Sequence, residues 1–359
     1  MKTTCLILLF ILFLSACSGN PTATATEPIA SFSPTPDATS VASSTPIVTL
    51  PTEQRTLVAG QWSTLIYHET LQKVILVNGG PERGKSKDDP LELWAWDGSN
   101  WSLISADANG PTWRNWAGVA YDTTRDVLVM HGGLQDANTS FDETWEWDGQ
   151  TWTKFTGAGP GGREGALMAY DAAHEMTILF GGATDMQVLG DTWAWDGSQW
   201  TQVSAEGPPP RFPGGLIYDA ARQKLLLYSG HFAEATGAFI DYDDLWAWDG
   251  SSWREIAQNE PTPGHRTHTA ITFDPNTDTV LLISSGSETF LSDVWAWDGT
   301  QWTQVEASNT PARSGHNVVY DAARDTFVLF GGVDRPGGKA LSDTWEWDRV
   351  NWLCVENCQ

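Results

Sequence analysis

Six tryptophan-rich segments punctuate the chain: LWAWDGSNW at 93–101, TWEWDGQTW at 144–152, TWAWDGSQW at 192–200, LWAWDGSSW at 245–253, VWAWDGTQW at 294–302 and TWEWDRVNW at 344–352. The second Trp of each falls at 96, 147, 195, 248, 297 and 347, which gives spacings of 51, 48, 53, 49 and 50. Eighteen of the 21 tryptophans belong to these segments, so they mark one unit repeated six times. The first two Trp of a segment lie two apart, on one face of a strand. Five segments continue with Asp-Gly, a hairpin-turn dipeptide, and a third Trp then opens another strand. The sixth has Asp348-Arg349 instead, so its turn is expected to differ.

Working outward, each unit reads as four strands. In the sixth these are Ser314–Tyr320, Thr326–Phe330, Asp343–Trp347 and Asn351–Val355. The first two strands are apolar on both faces, as a sheet packed between two others must be. A period near 50 with four strands per unit is the mark of a β-propeller. The expected fold is therefore all-β, with six four-stranded antiparallel blades over 58–106, 107–156, 157–204, 205–257, 258–306 and 307–359. A buried Trp removes about 200 Å² from water, worth up to about 5 kcal/mol, and the repeated tryptophans are read as blade-to-blade core rather than as a sugar-binding surface.

The units resemble the kelch repeat. The resemblance rests on a glycine pair after the second strand, an acid before an aromatic third strand, and a Trp opening the fourth. The pair stands at Gly79-Gly80, Gly132-Gly133, Gly181-Gly182 and Gly331-Gly332, and weakens to Ser229-Gly230 and Ser285-Gly286. It implies a six-bladed kelch-type β-propeller over 55–359. Closure is expected from packing of the first unit on the sixth, with a strand exchanged from residues 52–59 as the alternative.

The remaining segments speak to location. Lys2 precedes an apolar run from Cys5 to Leu14, too short to span a bilayer core of about 20 residues, which reads as a secretory signal peptide. Leu14-Ser15-Ala16-Cys17 resembles a bacterial lipobox, and that resemblance makes Cys17 a lipidated first residue after removal of 1–16. Residues 17–54 are rich in Thr, Pro and Ser, a composition expected to form a disordered stalk. The expected location is a cell membrane, held by the lipid alone and facing outward. Without residues 1–16, 19 basic residues stand against 45 acidic ones, a balance of −26. That argues against nucleic acid and anionic membrane as partners. It leaves calcium or another divalent cation open; no other cofactor is indicated. Cys354 and Cys358 are expected to form a disulfide in an oxidising exterior.

In an up-and-down blade, the loop leading into the first strand and the loop from second to third emerge on one side, here called the near face. The far-face connections are short and repetitive (DAAHE, DAARQ, DAARD and the WDG turns). The near-face loops vary: PERGKSKDDP (81–90), HFAEATGAFIDYDD (231–244) and SETFLSD (287–293). Varied loops on a rigid scaffold are where binding residues sit, and Phe232, Phe239 and Tyr242 make the fourth unit's loop the largest candidate. Arg114, Arg163, Arg211, Arg266 and Arg313 each lie eight residues before an acid ending the first strand, and two positions later come Trp62, Trp116, Gly165, Pro213, His268 and Gly315. These residues are expected around the central mouth. Five guanidiniums with two indoles would suit a carboxylate or a sugar acid. The favoured reading, however, pairs the arginines with Glu92, Glu143, Asp191, Asp244, Asp293 and Asp343, one of which precedes each third strand, and makes them scaffold rather than site. His231, His265, His268 and His316, near Asp241, Asp243 and Asp244, are read as exposed side chains, with a metal site the less favoured alternative.

Three function classes follow. The favoured one is an extracellular, monomeric binding module for a protein or glycan. The second is a sugar-processing enzyme. Kelch-type sialic acid mutarotases are the nearest analogy; galactose oxidases need a Tyr–Cys crosslink, and no cysteine lies in the first five units. The third is a purely structural surface protein.

Overall fold

The computed structural model describes residue 57 and residues 63–78, 88–136, 139–184, 187–204, 206–233, 239–284, 286, 290–335 and 338–358. The signal segment, Cys17, the stalk, Trp62, Gly79-Gly80 and most of the first unit's near-face loop lie outside these residues. Six four-stranded antiparallel sheets, each built from contiguous sequence, make up Glu53–Gln359. The innermost strands are Thr64–His68, Gly118–Asp122, Leu167–Asp171, Gly215–Asp219, Ala270–Asp274 and Asn317–Asp321. Each packs on the next, and the first packs on the last, so the ring closes by blade-to-blade contact. No helix occurs among the described residues.

The motif tryptophans fill the seams as their spacing requires. Trp94 and Trp96 share a cluster with Val328 and Phe330 of blade six, and Trp145 and Trp147 pack on Ile75 and Leu93 of blade one. In blades one, three and four the indole N–H of the third motif Trp then reaches across the seam. Trp101, Trp200 and Trp253 donate to Thr344, Thr144 and Thr192 at 2.8, 2.7 and 2.8 Å. Each Thr is the residue before the previous blade's first motif Trp. Blades one and five have Leu93 and Val294 there, and Trp152 Nε1 and Trp352 Nε1 are buried without a partner. The Glu that replaces Ala in two motifs acts similarly: Glu146 accepts from Trp195 at 2.7 Å, and Glu346 from Trp96 at 2.8 Å.

The turn after the third strand is a four-residue loop rather than a two-residue hairpin. Asp97 Oδ1 accepts from the Ser99 and Asn100 N–H groups at 2.9 and 2.8 Å, and Gly98 takes φ 97°. Blade six keeps this shape, contrary to expectation: Asp348 Oδ1 caps Val350 and Asn351 at 2.9 and 2.7 Å, and Arg349 accepts φ 74°.

The far-face seams explain why an arginine stands there. In blades two, four and six an arginine three residues after the inner strand's last Asp lies against the next blade's turn glycine. A Cβ on Gly197 would sit 2.7 Å from Arg125 Nη1. Blade five has Thr277 at that place, and Arg349 reaches back from blade six to supply the missing cation. It donates to both oxygens of buried Asp274, at 3.0 and 2.9 Å.

The first strands begin later than their apolar pattern suggests. Blade six starts at Asn317, because Gly315 takes φ 67° and Ser314 instead bridges to Val333. The glycine-pair position in blade five is Ser284, one residue earlier than expected. Ser229 and Ser284 keep the left-handed backbone, φ 62° and 53°, without glycine. Ser229 Oγ accepts from Arg266 N–H at 2.7 Å and donates to the Arg266 carbonyl at 2.7 Å. Ser284 Oγ donates to the Pro311 carbonyl at 2.9 Å. Cys354, on the last strand, is joined by a disulfide to Cys358 just beyond it.

Arg349→Gly would restore the consensus turn and relieve a left-handed residue, yet it is expected to destabilise the chain. Stranding buried Asp274 outweighs about 1 kcal/mol of backbone relief, for a net loss of about 2 kcal/mol. Urea denaturation checks this, and Asp274→Asn in the same chain should recover part of the loss.

Candidate near-face site

Backbone bridges between residues 115 and 134, 164 and 183, 212 and 231, and 314 and 333 join the lead-in loops to the loops after the second strands. This places both sets on one face. There the five arginines are buried, at 0–4 % exposure, and each is paired with the acid of its own blade. Arg114 Nη2 meets Glu143 at 3.0 Å, Arg163 Nη1 meets Asp191 at 2.7 Å, and Arg211 Nη2 meets Asp244 at 2.8 Å. Arg266 Nη2 meets Asp293 at 2.7 Å, and Arg313 Nη1 meets Asp343 at 2.8 Å.

The same carboxylates accept from the first motif indole, for example Trp193 to Asp191 at 2.6 Å. Further guanidinium protons go to main-chain carbonyls: Arg114 to Gly132 at 3.2 Å and Arg163 to Gly181 at 3.0 Å. Burial opposes ionisation of Glu143, but bonds from Lys154, Trp145 and Arg114 outweigh it and hold the carboxyl at about 2. The arginines are thus held within the scaffold by the acid before each third strand, and they do not present the cationic clamp at the mouth that was the other reading of their spacing. Spacing alone could not tell the two apart, since both place the guanidinium at the same height.

The residues two positions beyond do reach the mouth. Trp116, Gly165, Pro213, His268 and Gly315 line a cavity of about 150 Å³ with Ser63, Thr269, His316 and Asn317. It opens into a channel of about 390 Å³ along the inner strands, whose far end is bounded by Tyr67, Tyr121, Tyr170 and Tyr218. Among the described residues no Asp, Glu, Lys or Arg lines either space. The rings of Trp116 and His268 lie 6.2 Å apart, and Trp116 also meets Phe212 at 5.8 Å. Burial lowers His268 to about 3, and burial with nearby Arg313 lowers His316 to about 3. Both are neutral at physiological pH.

The other predicted site residues lie off the axis. Blade four raises its second and third strands, Lys224–Ala233 and Phe239–Trp248, as a hairpin pairing His231 with Asp241 and Phe232 with Ile240. Phe232 is half-buried, and Phe239 is placed by its backbone alone. Tyr242 does not project as a free aromatic, because its ring covers the Arg211 guanidinium at 4.1 Å. Blade three extends similarly over Met176–Ala183 and Val188–Trp195, and blade two adds the small pair Leu134–Asp136 and Thr139–Ser140.

The histidines are not simply exposed as expected. His316 is buried and donates from Nε2 to the Ile283 carbonyl at 3.2 Å, and His231 packs 5.5 Å from Phe212. His265 Nε2 lies 3.2 Å from Asp241. Among the described residues no three His, Cys, Asp or Glu side chains are grouped to hold a metal ion.

A closed six-bladed ring with short repeated turns on one face and raised hairpins around a mouth on the other defines a kelch-type β-propeller, a binding scaffold. The family model of the KLHDC2/KLHL20/DRC7 kelch-repeats domain matches residues 64–286 and 149–332. The chain belongs to the kelch-repeat family. Among solved structures, that described as the structure of YjhT aligns with a TM-score of 0.62 at 14% identity, over 83% of this chain and 98% of that one, and shares the fold. No curated protein matches the chain.

Two predictions follow from the buried groups. Arg163→Met is expected to cost about 3 kcal/mol by stranding Asp191, and Asp191→Asn in that background to restore part of it. A denaturation double-mutant cycle measures the coupling. His131, buried, is lowered to about 4 chiefly by burial. It stays neutral in the folded chain while the unfolded chain protonates near 6.5. Stability should therefore fall as pH drops from 6.5 toward 4, at about 1.4 kcal/mol per unit for each such histidine. Melting midpoints against pH, with His131→Gln flattening the slope, test it.

Proposed function

We propose that this chain is a cell-surface, lipid-anchored binding module. Cys17 carries the lipid, residues 18–54 act as a stalk, and the propeller presents its near face to an extracellular protein or glycan. The observation that supports this reading is the occupation of all five arginines by their own blades' acids. A sugar-acid enzyme loses its cationic clamp, whereas loops pinned by buried ion pairs make a rigid platform for recognition, in which little ordering entropy remains to be lost on binding. Blades two to four add raised hairpins beside the mouth, and exposed Ile240 stands on that of blade four.

Photo-crosslinking on the source cells tests this. A crosslinking residue at Ile240 or Asp142, both near-face and exposed, is expected to give a discrete adduct, and one at exposed Leu353 none. Adducts at Leu353 with none at the near-face positions would overturn the reading. Cys17→Ala should release the chain from the membrane fraction.

A further inference from the structure

We infer that the Cys354–Cys358 disulfide is a redox latch on the seam that closes the ring, opened by a dithiol reductant. The bridge encloses Val355, Glu356 and Asn357 in a small loop. Each of these three reaches something outside its own strand. Val355 packs in the cluster that holds Trp94, Trp96 and Trp101 of blade one. Glu356 Oε2 accepts from the Thr344 hydroxyl at 3.3 Å, and that hydroxyl accepts the Trp101 indole N–H at 2.8 Å. A hydroxyl has one proton to give, so Glu356 takes it up and leaves a lone pair of Thr344 turned to the indole. Asn357 donates from Nδ2 to the Ser342 carbonyl at 3.1 Å. The loop thus ties the third strand of blade six to blade one.

These contacts are held against local preference. Asn357 keeps a left-handed backbone, φ 52°. Burial pushes the Glu356 carboxyl up, and the charge of Asp97 in blade one adds to it against the bond from Thr344. Once the bridge opens, the three residues regain their freedom, and the Glu356 carboxylate gains by turning to water, away from Asp97. Thr344 then loses the acceptor that orients it toward Trp101. Ser342 and Thr344 flank Asp343, which holds Arg313 at 2.8 Å, so the loosening also reaches the near face. Cys358 is exposed and Cys354 half-buried, so the thiolate of a reductant meets Cys358 first. It attacks Cys358 Sγ, the sulfur–sulfur bond breaks with its electron pair on Cys354 Sγ, and that thiolate takes a proton from water. The reductant's second thiol loses its proton and displaces Cys358, which is protonated in turn. The chain gains two electrons and two protons, and the dithiol leaves as a disulfide.

The test uses the full chain in mild detergent, with and without dithiothreitol, and follows Cys354 and Cys358 by maleimide labelling. Both thiols are expected to appear while the chain stays folded, with the melting midpoint lowered by about 4 °C. Hydrogen exchange should quicken about tenfold over Thr344–Trp347 and Trp101–Ser105, on the two sides of the closing seam. It should stay unchanged over Trp253–Ile256 and 192–195, between blades three and four. Cys354→Ser with Cys358→Ser should show the reduced pattern without any reductant. A bridge that resists dithiothreitol until the chain unfolds overturns the latch. So does complete reduction with exchange unchanged at the closing seam, or quickened equally at both seams.

Discussion

A carboxylate two residues before a tryptophan, shared by that indole and by a buried guanidinium, is the interaction on which each of blades two to six is organised. Its parts come from three places: the lead-in loop brings the arginine, the third strand brings the acid and the indole, and the end of the second strand brings a carbonyl. Desolvating an ion pair is costly and is offset only when the remaining protons and lone pairs are satisfied. Here main-chain carbonyls take up several of the remaining guanidinium protons. The lead-in loop, the second strand and the third strand are thereby pinned to one another, which sets where the mouth residues stand.

The same arrangement explains the residues after the second strand. The first glycine of a pair packs on the backbone of the next blade's arginine, where a Cβ on Gly132 would lie 2.5 Å from the Arg163 carbonyl oxygen. Ser229 manages the same close approach by bonding the Arg266 backbone with its hydroxyl. The requirement is thus for left-handed backbone and a satisfied neighbour, of which glycine is one solution.

Much of this was legible in the chain itself. The 50-residue period gave the blade count, the two-residue Trp spacing gave the packed face, and loop length separated the variable face from the repetitive one. The places of Trp116 and His268 at the mouth also followed from counting along the first strand. What counting could not provide was direction. The arginines sit at the expected height but turn into the blade. Tyr242 turns onto Arg211, and Arg349 crosses a seam to an acid 75 residues earlier. The left-handed residues at 116 and 268 carry no local signature, because the glycines that reveal the conformation belong to other repeats.

The seams are not equal. Between blades six and one, Trp101 bonds Thr344, Trp96 bonds Glu346, Asn317 bonds the Ser63 carbonyl, and Arg324 packs on the Gly98 turn. Between blades one and two, Trp147 Nε1 and Trp152 Nε1 are unpartnered, and Leu71 stands where four of the other five blades carry an arginine or histidine. The joint made by the chain's own two ends is therefore more heavily cross-tied than its neighbour among the described residues. Mechanically, a pull arriving from the N-terminal side of blade one is passed through these polar ties into blade six, the last made of the six.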